Sequence, residues 1–257
     1  MSKPILQIVE LTMRFSGLVA IDNLHLDIEE GKVYGLIGPN GAGKTTVFNC
    51  LSRYYDPQRG KILFNGGDLL HHPPYGIPRL GIARTFQNLE LFGEMTVLEN
   101  LLVAKHIFLH SGTLAGAFLT PRCREEEKKI RQEAGEIIEF LGLSPVKEEI
   151  VSSLPHGTQK LVELGRALCL SPKLLLLDEP VSGMNPKEVQ SIVENVRQIN
   201  RRMGITIFLV EHNMSVVMGL CDQICVMDHG KRIAFGPPSS IQNDPLVIEA
   251  YLGRKKT

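Results

Sequence analysis

Three short stretches of the chain are almost continuously apolar: VYGLIG at 33–38, KLLLLD at 173–178 and ITIFLV at 205–210. Runs of this length predict strands buried on both faces of a central sheet. NLHLDI at 23–28 instead alternates apolar and polar residues, the pattern of a half-buried antiparallel strand. Each apolar run precedes a helical pattern, over 44–52, 186–202 with Pro186 near its first turn, and 213–220. The result is an α/β core. Between the first two runs lies a long, mostly helical insertion, about 85–170, carrying REEEKKIRQEAGEIIEFLGL. Its Glu125/Lys129 and Glu127/Arg131 spacings suit solvent-facing pairs one helical turn apart. DHGK at 228–231 reads as a turn between strands, and NDPLVIEAYLG as a short capped helix. The expectation is one domain, 1–257. Its core and antiparallel β lobe come from 1–84 and 171–257, and a helical subdomain comes from 85–170.

At 257 residues and 43% hydrophobic, the chain is long and apolar enough for a full core. Its 28 basic and 28 acidic residues balance, so it lacks the basic field of a general nucleic-acid binder, and no nucleic-acid partner is expected. Five cysteines form no C-x-x-C pair, and the opening MSKPILQIVE has no apolar core followed by a cleavage site. These features predict reduced thiols in a cytoplasmic chain. The most membrane-like stretch, LLVAKHIFLHSGTLAGAFL at 101–119, is interrupted by Lys105, His106 and His110 and weakened by Gly112 and Gly116, so no bilayer span is expected. Two readings of it stay open: a segment packed within the helical lobe, or a surface facing a partner.

The chemistry starts at GPNGAGKTT, 38–46, which follows a predicted strand and opens a helix. Gly38, Gly43, Lys44 and Thr45 match the phosphate-binding pattern G-x-x-x-x-G-K-[ST] in the context that confirms it. The loop of Gly38, Pro39, Asn40, Gly41, Ala42 and Gly43, with Lys44, Thr45 and Thr46, would turn backbone N–H groups inward around phosphates. Lys44 adds a point charge at the β and γ oxygens, and Thr45 offers a hydroxyl to Mg²⁺. The strand LLLLDEP ends in two acids: Asp178 placed for the Mg²⁺ shell, and Glu179 placed to polarise a water for in-line attack on a γ-phosphate. Gln87 in RTFQN and His212 in LVEHN sit where strands end, the first as a water or Mg²⁺ ligand, the second as a γ-phosphate contact. SSLPHGTQKLVELGR at 152–166 starts a helix whose first turn has no acidic residue. Its apolar residues Leu161, Val162, Leu164 and Leu168 lie mostly on one face, and its open N-terminus suits an outside anion held by the amides of Gly157, Thr158 and Gln159.

With these motifs in this order the chain resembles the ATP-binding subunits of ABC transporters over essentially its full length. GPNGAGKTT stands as Walker A, Gln87 as the Q-loop, LPHGTQ as a signature, LLLLDE as Walker B, SGMN as a D-loop and His212 as the H-loop. The details GPNGAGKTTVFNCL, RTFQNLELFGEMTVLENLLVA, GMNPKE and DPLVIEAYLG look closest to the polar and branched-chain amino-acid importers. The resemblance implies that Phe15 stacks on adenine. It also implies that Leu154, Pro155, His156, Gly157, Thr158 and Gln159 face the γ-phosphate of ATP held by an opposite cassette. Implied partners are a second, non-identical ATPase cassette, two integral membrane permease subunits and, indirectly, an extracytoplasmic solute-binding protein, with the chain on the cytoplasmic face of the inner membrane. Where the family has Leu-Ser-Gly-Gly-Gln, this chain has Leu154-Pro155-His156-Gly157-Thr158, and Asn185 replaces the usual D-loop aspartate. These departures predict a weakened site at this signature. A soluble ATPase of cofactor assembly or nucleic-acid metabolism, and a nucleotide-switched module with little turnover, are the alternatives.

Overall fold

The computed structural model describes residues 4–105, 107 and 121–252. Two long strands, β1 (Pro4–Phe15) and β2 (Leu18–Glu29), precede β3 (Val33–Ile37), α1 (Lys44–Leu51), β4 (Arg59–Phe64) and β5 (Gly67–Asp68). A one-turn helix α2 (Ile77–Leu80) leads into β6 (Ile82–Arg84), followed by α3 (Val97–Lys105), α4 (Pro121–Phe140) and α5 (His156–Cys169). The remaining elements are β7 (Leu174–Asp178), α6 (Pro186–Met203), β8 (Thr206–Val210), α7 (Met214–Leu220), β9 (Gln223–Asp228), β10 (Lys231–Gly236), α8 (Pro238–Ile241) and α9 (Pro245–Leu252).

The strands form two sheets. β2, β1, β4 and β5 make an antiparallel lobe in that order, and the larger sheet runs β10-β9-β3-β8-β7-β6. All pairs in the larger sheet are parallel except β10 with β9. The three continuous apolar runs are β3, β8 and β7, side by side in the middle of the sheet, which is why no face of them is polar. Alternate residues still point opposite ways. Leu174 and Leu176 join a core shared with the β lobe and α1, through Phe48 and Leu51, while Leu175 and Leu177 join a core shared with α5 and α6. The sheet is thus the wall between two cores, and covering both of its faces holds the lobes in place.

Parallel pairing puts the C-terminal ends of β3, β6, β7 and β8 along one edge, where open α/β sheets present their ligand sites. α6 starts at that edge behind a capping box: Asn185 Oδ1 accepts from Lys187 N and Glu188 N, Glu188 Oε2 accepts from Asn185 N, and Pro186 fills the first helical position.

α3, α4 and α5 pack through Leu101, Ala134, Ile138, Leu164 and Leu168. On the wet face of α4, Arg131 pairs with Glu127 at 3.9 Å as its spacing suggests. Lys129 reaches forward to Glu133 at 3.9 Å rather than back to Glu125, and Glu133 also pairs with the buried Lys105, 2.6 Å away. Of the 101–119 stretch only 101–105 and 107 are described. Residues 101–105 end α3, 107 lies beyond it, and the rest lies outside the described residues. No helix among the described residues is long and apolar enough to cross a membrane.

Cys50, Cys169, Cys221 and Cys225 are buried free thiols, each pushed up by burial to about 12. Thiolate is the reactive form, so these four should resist alkylation at mildly alkaline pH until the chain unfolds. Mass spectrometry of native and denatured samples checks this. Modification of any of the four in the native chain would contradict it.

Candidate active site

Between β3 and α1 the backbone takes left-handed values at Gly38 (φ 148) and Gly43 (φ 100). A Cβ at Gly38 would stand 2.0 Å from Met227 O, and one at Gly43 2.2 Å from Ala20 O. Only glycine lets this loop sit so close to β9 and β2. Gly38→Ala should therefore destabilise the fold by at least about 1–3 kcal/mol of backbone strain, before any steric relaxation. Thermal melting checks this. An unchanged melting temperature would show that the loop has room to move.

Gly43 caps α1 without a side-chain bond, and the first turn has no acidic residue, so its amides stay open to an anion. Lys44 is only 6% exposed, and its Nζ donates to Gly38 O (2.8 Å) and Pro39 O (2.9 Å). Burial pushes its ammonium below the ordinary lysine value, while the carboxylates of Glu179 and Asp178 push the other way. A cleft of about 420 Å³ lies over this loop, lined by Asn40 through Thr46 together with Gln87, Glu179 and His212. The sheet edge has brought together residues from four segments of the chain.

Glu179 is the centre of that group. It follows β7 with a left-handed φ of 49, and its N–H donates to Val210 O at 2.9 Å, which turns its side chain out of the strand's path. Gln87 Nε2 donates to Glu179 Oε2 at 3.0 Å, and His212 Nε2 lies 2.9 Å from Oε1. Each carboxylate oxygen is fixed by one neighbour and keeps further lone pairs for a water. A non-glycine residue in this conformation stores strain, a feature concentrated at functional sites.

Asp178 stands behind the cleft. It is 3% exposed, and its Oδ2 pairs with an Arg84 guanidinium nitrogen at 2.8 Å. Arg84 also donates to Asn49 Oδ1 and Ser52 Oγ, and lies between the rings of Phe48 and Phe86. Phe15 is exposed at the end of β1 and meets Tyr55 edge-on at 5.1 Å. The cleft lining takes Leu18, Val19 and Ala20 from the following strand but not Phe15.

None of Leu154 through Gln159 lines this cleft. Pro155 is the N-cap of α5, and His156 is exposed in the first turn. The amide of Gln159 is not free as the sequence suggests. It donates to Pro155 O at 3.0 Å, closing the first helical bond, so the open amides are those of His156, Gly157 and Thr158. The Gln159 side chain turns back to Val151 O and Leu154 O, holding the approach to the helix. The helix also has a carboxylate beside it, from another element: a Cβ on Gly157 would stand 2.7 Å from Glu188 Oε1. The start of α6 is packed against the start of α5.

Sequence reasoning missed the residues that hold this group. Buried Glu211 accepts from His212 N, Asn213 N and Val181 N, tying the turn that carries His212 to the loop after Glu179. Arg84 precedes Gln87 by three residues and Glu211 adjoins His212, so adjacency to the motifs was the available signal. His229, on the β9–β10 turn, completes the lining without any motif to mark it.

The family described as ABC transporter matches residues 21–182, and the family described as branched-chain amino acid ATP-binding cassette transporter matches 231–256. The high-affinity branched-chain amino acid transport ATP-binding proteins BraF of Pseudomonas aeruginosa and LivG of Escherichia coli are each 43% identical over 253 residues, 98% of this chain and 99% of theirs. A solved ATP-binding cassette of an ABC transporter in its ADP conformation aligns with TM-score 0.85 and 33% identity, covering 98% of this chain and 100% of its own. A nucleotide-free cassette aligns with TM-score 0.84, also at 33% identity and with the same coverage.

Proposed function

The chain belongs to the ABC transporter family as an ATP-binding cassette and is an ATPase, and from that premise we propose that it powers an importer of branched-chain or related amino acids. The observation that carries the reading is the junction of the Lys44 loop with Gln87, Glu179 and His212 in one cleft. The cargo rests on the C-terminal family match and on the names of the relatives.

In this reading the phosphates of ATP lie in the Gly38–Thr46 cradle, contacted by Lys44 and the open amides of α1. The base extends toward the β1–β2 turn, near Phe15 and Leu18. Thr45 and Gln87 line the cleft with oxygen donors that suit a hard divalent cation and would hold Mg²⁺, with the buried Asp178 carboxylate behind them, and the ion would neutralise charge on the β and γ oxygens. Glu179 accepts the proton of the attacking water as its oxygen bonds to the γ-phosphorus and the β–γ bridge breaks. His212 and Gln87 keep the carboxylate aimed. The amides of His156, Gly157 and Thr158 would serve nucleotide on an opposing, non-identical cassette, since none of the three residues lines the chain's own cleft. That cassette's signature serves the nucleotide on Lys44.

Closure of the pair and its reopening after hydrolysis would drive two membrane permease subunits, placing the chain at the cytoplasmic face of the inner membrane, with a solute-binding protein outside. A groove of about 380 Å³ between core and helical segment, lined by Ile77, Ile82, Phe86, Phe92, Val103 and Ala104, is the proposed permease contact. Ala104→Glu should abolish solute-stimulated ATPase activity in the complete transporter while leaving the melting temperature of the isolated subunit unchanged. A collapsed melting temperature would mark Ala104 as core instead.

Pro155 lacks the hydroxyl and N–H that serine would offer a phosphate. Restoring both, with Pro155→Ser/His156→Gly, should raise turnover in the complete transporter, a contact to a charged group being worth roughly 1.5–3 kcal/mol. Unchanged turnover would show that the helix-end amides suffice. The reading as a whole is tested by ATP-driven uptake of labelled leucine, isoleucine and valine into vesicles carrying the transporter. ATP turnover without uptake of any of them would overturn the cargo.

A further inference from the structure

The segment that carries Gln87 is gripped by one buried ion pair on α5. Lys160 and Glu163, 4% and 6% exposed, lie one helical turn apart and contact each other at 3.3 Å. Lys160 Nζ also donates to Phe86 O and to Gln87 O, both at 3.1 Å, so its three protons have three acceptors. Glu163 Oε1 accepts from Phe86 N at 2.9 Å. Both polar groups of the Phe86 backbone and the carbonyl of Gln87 are therefore held by α5. The Gln87 side chain then reaches Glu179 at 3.0 Å.

Stability alone does not account for a charged pair here, since apolar replacement of a buried ion pair is often neutral or stabilising. Its placement does. The pair begins five residues beyond Pro155, so fewer than two turns of helix separate the anion-facing end of α5 from the peptide groups that aim Gln87. A helix this short moves as one piece. Glu163 and Phe86 also both line the groove between core and helical segment.

We propose that Lys160 and Glu163 are positioning residues that lock Gln87 to α5, so that docking of the α5 end on the opposing cassette's nucleotide sets how Gln87 holds Glu179 in this chain's own cleft. This rests on the reading of two cassettes sharing nucleotides. It makes the two nucleotide sites cooperative through a chain of contacts inside one subunit. Neither residue lines the nucleotide cleft, so the pair acts on turnover and coupling rather than on ATP affinity.

The test uses the complete transporter with the chain carrying Lys160→Met, Lys160→Arg or the double change Lys160→Met/Glu163→Leu. The double change keeps the test valid if the single one leaves an unpaired buried carboxylate that prevents folding. In the Met-containing variants ATP affinity should stay within about twofold, while kcat falls roughly tenfold or more through misplacement of Gln87. The Hill coefficient for ATP should fall toward one. Lys160→Arg, which keeps the donors, should retain most of the rate and the cooperativity. A folded double variant with kcat within twofold of wild type, or an unchanged Hill coefficient, would overturn the proposal. So would Lys160→Arg falling as far as Lys160→Met. Wild-type turnover is measured first. Its absence defeats the ATPase reading and this inference with it, whereas normal wild-type turnover with unaffected variants defeats the inference alone.

Discussion

Replacing Glu179 by Gln is expected to slow ATP hydrolysis on the order of 10²-fold or more while ATP affinity stays the same. The change is nearly isosteric, so the left-handed turn after β7 and its bond to Val210 O remain. Lys44, Thr45 and the open amides of α1 are untouched, and these are the cleft-lining groups proposed to bind phosphate. What disappears is the proton acceptor held between Gln87 and His212. A closed cassette pair should then accumulate with ATP, because the step that reopens it has been slowed. Phosphate release gives the rate and calorimetry the affinity. A variant that hydrolyses ATP at near the wild-type rate would remove Glu179 as the base.

Lys44→Ala acts on the earlier step. Loss of a charge-assisted phosphate contact is worth roughly 1.5–3 kcal/mol, or about ten- to a hundredfold in affinity. In the folded chain the same ammonium bridges Gly38 O and Pro39 O, so its removal also takes a brace out of the loop that shapes the cradle. Both effects weaken binding. Calorimetry with ATP should show the loss, and an unchanged affinity would exclude this loop as the nucleotide site.

The fold was legible where local pattern and burial coincide. β3, β7 and β8 announce themselves because strands covered on both faces need no polar side. The loop at 38–46 is legible because close approach to Met227 and Ala20 tolerates only glycine at two fixed places. The cleft residues from separate strands could be named in advance because parallel pairing leaves all their ends on one edge. The supports could not be named. Phe86 and Glu163 are 77 positions apart, and Arg84 and Asp178 are 94 apart. Beyond adjacency to a motif, nothing local distinguishes such a lysine, arginine or glutamate from the solvated charges of α4. The capping box of Asn185 was hidden similarly. Read as a substituted motif residue, Asn185 also holds the start of α6, and thereby the carboxylate that Glu188 lays against Gly157.

The helix end at 155–158 shows how local rules and packing interact. The first turn of α5 carries no acid of its own, as the sequence shows, yet the cap position shifts the unpaired amides by one residue, from Gly157–Gln159 to His156–Thr158, and packing brings the Glu188 carboxylate beside them. The shift moves the proposed contact toward His156, which is exposed, as is Pro155.

In the function proposed for it, this cleft turns over ATP in order to drive a membrane permease. Phosphate release is the direct measure, taken on the complete transporter in vesicles with and without amino-acid-loaded solute-binding protein, and on the chain alone. The predicted result is release that rises when the loaded binding protein is added and stops with Glu179→Gln. Release at one rate in all three settings, indifferent to permease and solute, would contradict the claim and identify an ATPase working apart from transport.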